Sequence, residues 1–328
     1  NLYKQIMLLI AGDAFGYGGS QVNELYLLLE KYVEACQLTT AIQVDGKNAS
    51  FFIDFTEDIG PRNDLTIEVR SPSQRLLNVD QVVEMIIKDL SKQKSVPLDS
   101  LEAIELRLLR LFLRNLRYGT INRKIREPSS GIVRIAYGLD AAGYYLDHRD
   151  KFLEEKKEVV NGIEVRDIEY FEAEHELSNW NLVNINQRGR MLETKQIDNI
   201  CYSVGEVISS LEFIAGTQQH LISTGLIRWI RYIDNKAQMG VEYLEGEPVL
   251  VNCYAELEDS DEPMSFTGLY FPSNKKYKKP ASLLFEYNYF SSAQSFLVDV
   301  AGQRYRIEPV KIFRESMIHV QFNFRVVK

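Results

Sequence analysis

The segment from Leu221 to Leu244 constrains the fold most. Leu221–Ile233 is a long run of strand-type alternation that breaks at Asp234, Asn235 and Lys236 and resumes over Gln238–Leu244. Two such runs around a short polar turn predict a β-hairpin. The pattern extends to both sides of it. Ile132–Tyr137, Trp180–Ile185 and Gly205–Ile214 read as strands before the hairpin. Behind Pro248, the candidates are Val249–Ala255, Ser282–Tyr287, Ser295–Asp299, Tyr305–Ile307 and Ile318–Val327. The middle of the chain is therefore expected to form an antiparallel β unit, and the tail a second small barrel or an extension of the first.

The N-terminal hundred residues differ. Val22–Tyr32 and Val79–Leu90 carry apolar residues at helical spacing, while Phe51–Phe55 and Leu65–Val69 alternate like half-buried strands. Pro97, Asp99 and Ser100 form a helix start, and the run to Arg117 places Leu101, Ile104, Leu108, Leu111 and Phe112 on one face. That amphipathic helix, within 98–118, is also a candidate for pairing with a second copy. Charge-rich Asp147–Glu174 reads as an insertion, with a helix from Asp150 and a short strand pair. At 328 residues the chain exceeds what one core usually supports. The expected fold class is α+β multidomain: a mixed or helical module over 1–97, an arginine-rich arm and β-barrel over 98–247, and a β-rich module over 248–328.

Composition excludes several classes of function. Hydrophobic residues make up 45% and charged residues 26%, an ordinary globular balance. A formal net charge of -8 argues against a general grip on DNA or anionic lipid, so any anion site has to be local. Leu2–Ile10 is mostly apolar but too short to span a bilayer, and no other stretch approaches the length of a membrane span. Cys36, Cys201 and Cys253 are odd in number and show no CxxC spacing, which reads as reduced thiols in a cytoplasmic protein.

The parts of a catalytic site are also missing. His148, His175, His220 and His319 show no zinc-ligand spacing, and neither a GxSxG elbow nor a GxxxxGK[ST] loop occurs. Gly16–Gly19 (GYGG) reads as a turn. Paired acids such as Glu154 and Glu155, or Asp259 and Asp261, read as solvated surface charge. The expectation is a regulatory protein without catalysis and without a cofactor.

One cluster breaks the acidic balance. Between Glu105 and Glu127 stand Arg107, Arg110, Arg114, Arg117, Arg123, Lys124 and Arg126 with no intervening acid. The first four recur at helical spacing beside the apolar stripe and read best as a solvated face. Arg123, Lys124 and Arg126 precede a strand, where guanidinium forks can grip phosphate and stack on a flat base. A second feature is Asn184-Ile185-Asn186-Gln187-Arg188-Gly189, directly after a strand. Its short amides and glycine make a tight turn whose polar groups can bond a heterocycle or a phosphate, although alone it reads as an ordinary strand-strand turn.

Together these features resemble the PilZ domain, a bacterial receptor module for cyclic di-GMP. In that family an RxxxR arm precedes the first barrel strand, a [DN]xSxxG turn follows a later strand, and a G-(V/I)-(V/R)-W…G-V-E-F hairpin completes the barrel. Gly225-Leu226-Ile227-Arg228-Trp229 followed by Met239-Gly240-Val241-Glu242-Tyr243 is very similar to that hairpin. Two departures stand out: Arg123 and Arg126 are one residue closer than RxxxR, and Asn186 stands where the family has Ser. The resemblance implies a cyclic di-GMP receptor in which Arg117, Arg123, Lys124, Arg126, Asn184, Asn186, Arg188 and Gly189 contact the ligand. Binding would rearrange domains or recruit a protein partner in motility, pilus or exopolysaccharide pathways. The alternative implied by the same family is a degenerate PilZ adaptor that binds proteins and no nucleotide. Single-stranded nucleic-acid binding by a β-barrel is a third reading, opposed by the acidic balance.

Overall fold

The structure, a computed structural model, describes residues 1–40, 50–56, 60–62, 71–92, 100–118, 127–149, 157–160, 163–166, 175–186, 188–195, 202–214, 219–256, 263–274, 279–293 and 295–327. The chain forms two compact units, Asn1–Lys124 and Ile125–Lys328. The helix ending at Tyr118 thus groups with the N-terminal elements, whereas the sequence suggested grouping it with the barrel.

The first unit contains α1 (Leu2–Ala11), α2 (Gly19–Leu29), α3 (Asp80–Lys92) and α4 (Leu101–Tyr118). Its three-stranded antiparallel sheet has the order β1 (Gln37–Thr39), β3 (Gln74–Asn78), β2 (Ser50–Asp54). Local chemistry sets the helix starts. The Asn78 side-chain oxygen accepts the Asp80 N–H at 3.0 Å, and Ser100 Oγ accepts the Ala103 N–H at 3.2 Å. Gly18 caps α2, so the GYGG run is a turn and a helix start. Leu108, Leu111, Phe112 and Leu116 of α4 are buried, but Ile104 is exposed. Arg107 corrects the expected solvated arginine face: it is buried, while Arg110 and Arg117 are exposed. The anticipated strand Leu65–Val69 lies outside the described residues.

The second unit is two closed six-stranded antiparallel barrels. The first runs β8 (Ser178–Asn186), β5 (Ile132–Tyr137), β10 (Val207–Ile214), β11 (Gln219–Ile233), β12 (Lys236–Tyr243), β9 (Gly189–Thr194), and β9 pairs back onto β8. A two-residue β4 (Glu127–Pro128) flanks β8. Val133, Ile135, Trp180, Leu192, Ile208, Ile227, Met239 and Val241 fill the barrel, each from the inward face of its strand. The predicted turn between β11 and β12 is present: Asp234 and Asn235 have φ of 50° and 58°, the left-handed pair that a two-residue hairpin loop needs.

The second barrel has the order β13 (Val249–Ala255), β14 (Met264–Phe271), β15 (Ser282–Glu286), β18 (His319–Val327), β17 (Gln303–Glu315), β16 (Phe296–Val300) and is closed. Phe266, Phe285, Phe296 and Phe322 form its aromatic core, and Tyr289 and Phe290 of α6 (Tyr287–Ser292) pack against it. Strand β17 runs far beyond the predicted Tyr305–Ile307 by means of bulges at Val310 and Phe313, which leave these side chains exposed.

A helix that the sequence did not suggest, α5 (Leu139–Asp147), joins the barrels. Its Leu139 and Ala142 bury against Val207, Leu226 and Leu244 of the first barrel and Leu269, Phe271 and Leu284 of the second. In the insertion, the expected strand pair is β6 (Lys157–Val160) with β7 (Ile163–Arg166); the anticipated helix from Asp150 lies outside the described residues. No described helix is long and apolar enough to cross a membrane.

Candidate functional site

The candidate site is built on the turn between β8 and β9. The Asn186 side-chain oxygen accepts the Arg188 N–H at 2.8 Å, which folds the loop back on itself. Asn186 therefore spends its amide carbonyl on its own turn. Gly189 is required for packing: a Cβ there would lie 2.3 Å from the Val241 carbonyl oxygen, so only glycine lets β9 approach β12 this closely. The Tyr243 N–H then donates to the Arg188 carbonyl at 2.8 Å, anchoring the turn to the hairpin.

The hairpin's sequence signature has an equally concrete cause. Trp229 pairs with Gly240 across β11 and β12, and a Cβ on Gly240 would lie 2.1 Å from the indole Nε1. The indole lies across the glycine, so each residue needs the other. Arg228 is the extra residue in a bulge between Ile227 and Trp229, and its Nε comes within 3.5 Å of Glu242.

Electrostatics at the turn are dominated by arginine. Arg190 lies over the Tyr243 ring at 5.2 Å, donates to the carbonyls of Asn186 and Gly189 at 3.4 Å each, and stands 3.5 Å from Glu212. Tyr243 donates its hydroxyl proton to Glu212 at 2.6 Å; burial, reinforced by the Glu212 charge, holds that phenol far above its ordinary range. Arg188, more exposed, stands 3.7 Å from Glu245. Asn184 points its amide at Met191 Sδ, 3.2 Å away. Among the described residues no cluster of three or more His, Cys, Asp or Glu is arranged to hold a metal.

Of the residues suggested by sequence, Asn184, Asn186, Arg188 and Gly189 come together on this turn. Arg117 lies in the last turn of α4, in the first unit. Arg123, Lys124 and Arg126 lie outside the described residues. Sequence reasoning missed Arg190, Glu212, Glu242 and Glu245. The first of these is signalled by its place directly after the Asn184–Gly189 turn motif, where β9 begins.

No family model and no curated protein matches the chain. Solved structures similar to it include the Borreliella burgdorferi PlzA protein in complex with c-di-GMP, 6% identical with a TM-score of 0.21, covering 63% of this chain and 89% of that one. The Bacillus subtilis inhibitor of motility, MotI/DgrA, is 9% identical with a TM-score of 0.20 and covers 61% and 88%. The apo state of K. pneumonia MrkH is 8% identical with a TM-score of 0.20 and covers 63% and 88%.

Proposed function

We propose that the chain is a cyclic di-GMP receptor of PilZ type, which turns nucleotide binding into rearrangement or partner binding without chemistry. The observation that carries this reading is the turn from Asn184 to Gly189. It is folded by its own Asn186 amide, pressed onto β12 by Gly189, and flanked by Arg188 and Arg190 beside the Trp229–Gly240 hairpin. In this reading Asn184, Asn186 and Gly189 hold the guanine edge, and the arm arginines Arg123 and Arg126 stack on guanine and contact phosphate. A charge-assisted hydrogen bond contributes about 1.5–3 kcal/mol, so loss of one arm arginine is expected to weaken binding roughly tenfold or more.

Isothermal titration with cyclic di-GMP tests the reading. Saturable heat that Arg123→Ala and Arg126→Ala each diminish supports it; no heat, or unchanged affinity in both variants, overturns it. A protein-interaction adaptor is the second reading, favoured by the exposed apolar Val310 and Phe313 that the bulges of β17 turn outward. It is the reading left standing if the titration is flat.

A further inference from the structure

The cations around the candidate turn come from both barrels. Glu245, just beyond β12, stands 3.7 Å from Arg188 of the first barrel and is paired with Lys279 of the second. Glu242, within β12, stands 3.5 Å from Arg228 of the first barrel and accepts from Arg314 of the second at 3.0 Å. Each carboxylate thus clasps one cation from each barrel. Four cations share two carboxylates, an excess of two positive charges among these described residues.

The crowding registers on both sides. Burial alone would raise Glu242, yet Arg314, Arg228 and Arg188 together hold its carboxyl below the ordinary range. Burial, with the repulsion of Arg314 and Arg188, lowers the Lys279 ammonium. The two carboxylates are not equivalent. The Glu242 side chain is 26% exposed and locked in a strand, whereas Glu245 is 48% exposed and follows the strand's end.

We propose that this seam is a subsite for an ester anion with two phosphates, in which Glu245 holds the place of a phosphate in the ligand-free protein. An incoming phosphodiester displaces Glu245 and takes over Arg188 and Lys279, one cation from each barrel, while Glu242 keeps Arg228 and Arg314 in position. A phosphodiester suits this exchange because it offers two acceptor oxygens and one negative charge, as the carboxylate does. The second barrel is thereby part of the site, and Glu245 competes with the ligand. This inference rests on the reading of the turn as a dinucleotide site but makes a separate claim about the charge that surrounds it.

The experiment is titration of the full chain with cyclic di-GMP and, in parallel, with inorganic pyrophosphate, for the wild type, Glu245→Gln and Lys279→Ala. Both side chains are about half exposed, so neither variant is expected to disturb folding, which far-ultraviolet circular dichroism checks. The expected result is cyclic di-GMP binding about three- to tenfold tighter in Glu245→Gln and about tenfold weaker in Lys279→Ala. Wild-type binding of cyclic di-GMP that neither variant changes by more than about twofold overturns the seam subsite and leaves the dinucleotide reading intact. Pyrophosphate binding with the expected variant pattern, but no response to cyclic di-GMP, sustains the seam and overturns the dinucleotide reading. Binding of neither anion overturns both.

Discussion

Glu206 shows how one buried acid can make stability depend on pH. It precedes β10 and stands 3.5 Å from His319 Nε2, with Tyr137 and Glu286 also near it. Burial, reinforced by the Glu286 charge and opposed by the Val207 N–H and Tyr137, lifts its carboxyl from 4.5 to about 7. The folded protein therefore keeps this proton at pH values where the unfolded chain has lost it. The Glu206 contribution is complete below about 4.5 and disappears as pH rises through about 7. Urea midpoints measured between pH 5 and 8 should fall more steeply in the wild type than in Glu206→Gln, and parallel profiles would refute the assignment. Nothing in the sequence marks Glu206, because its environment comes from His319 and Glu286, far away in the chain. Gly240 and Trp229 are the opposite case. Their requirement is a direct cross-strand contact, so it leaves a fixed pattern in the two strands.

Elements with a local cause were legible, and those with a tertiary cause were not. The hairpin β11–β12 declared itself through alternation and a turn pair, and α4 through an apolar stripe and its Ser100 cap. Helix α5 did not: its Leu139-Asp140-Ala141-Ala142-Gly143-Tyr144 run contains a mid-helix glycine, and its stability comes from burial between two barrels. Strand β14 lies between acidic Glu256–Glu262 and a lysine-rich loop, which hid its short alternation. The hairpin turn offers a direct check. Asn235 has φ of 58°, a conformation that asparagine tolerates and a β-branched residue does not. Asn235→Val is expected to cost about 1–2 kcal/mol, whereas Asn235→Gly should leave the thermal midpoint unchanged or raise it. A Val variant as stable as the wild type would remove the left-handed turn from the account.

At the scale of the molecule, the two barrels share an apolar seam and should unfold as one. The chain has two tryptophans, Trp180 and Trp229, and both lie in the first barrel. Phe285 is fully buried in the core of the second. Phe285→Ala is expected to cost about 3–5 kcal/mol, and the loss should appear in tryptophan fluorescence although the mutated barrel contains none. A tryptophan transition that stays at the wild-type urea concentration would show that the barrels unfold independently. The site was legible only in part for the same reason: the turn residues are neighbours in sequence, but Lys279 and Arg314 reach it through the joining of two barrels.

Ring closure has one more consequence. The first ring closes through β8 and β9 and the second through β13 and β16, so among the described residues neither ring leaves a long row of peptide groups open to a visiting chain. Among the described residues, a partner that lends a strand finds no open ring edge to pair with. Whatever engages these barrels has to recognise side chains and loop ends, so its selectivity rests on shape and charge and not on backbone pairing.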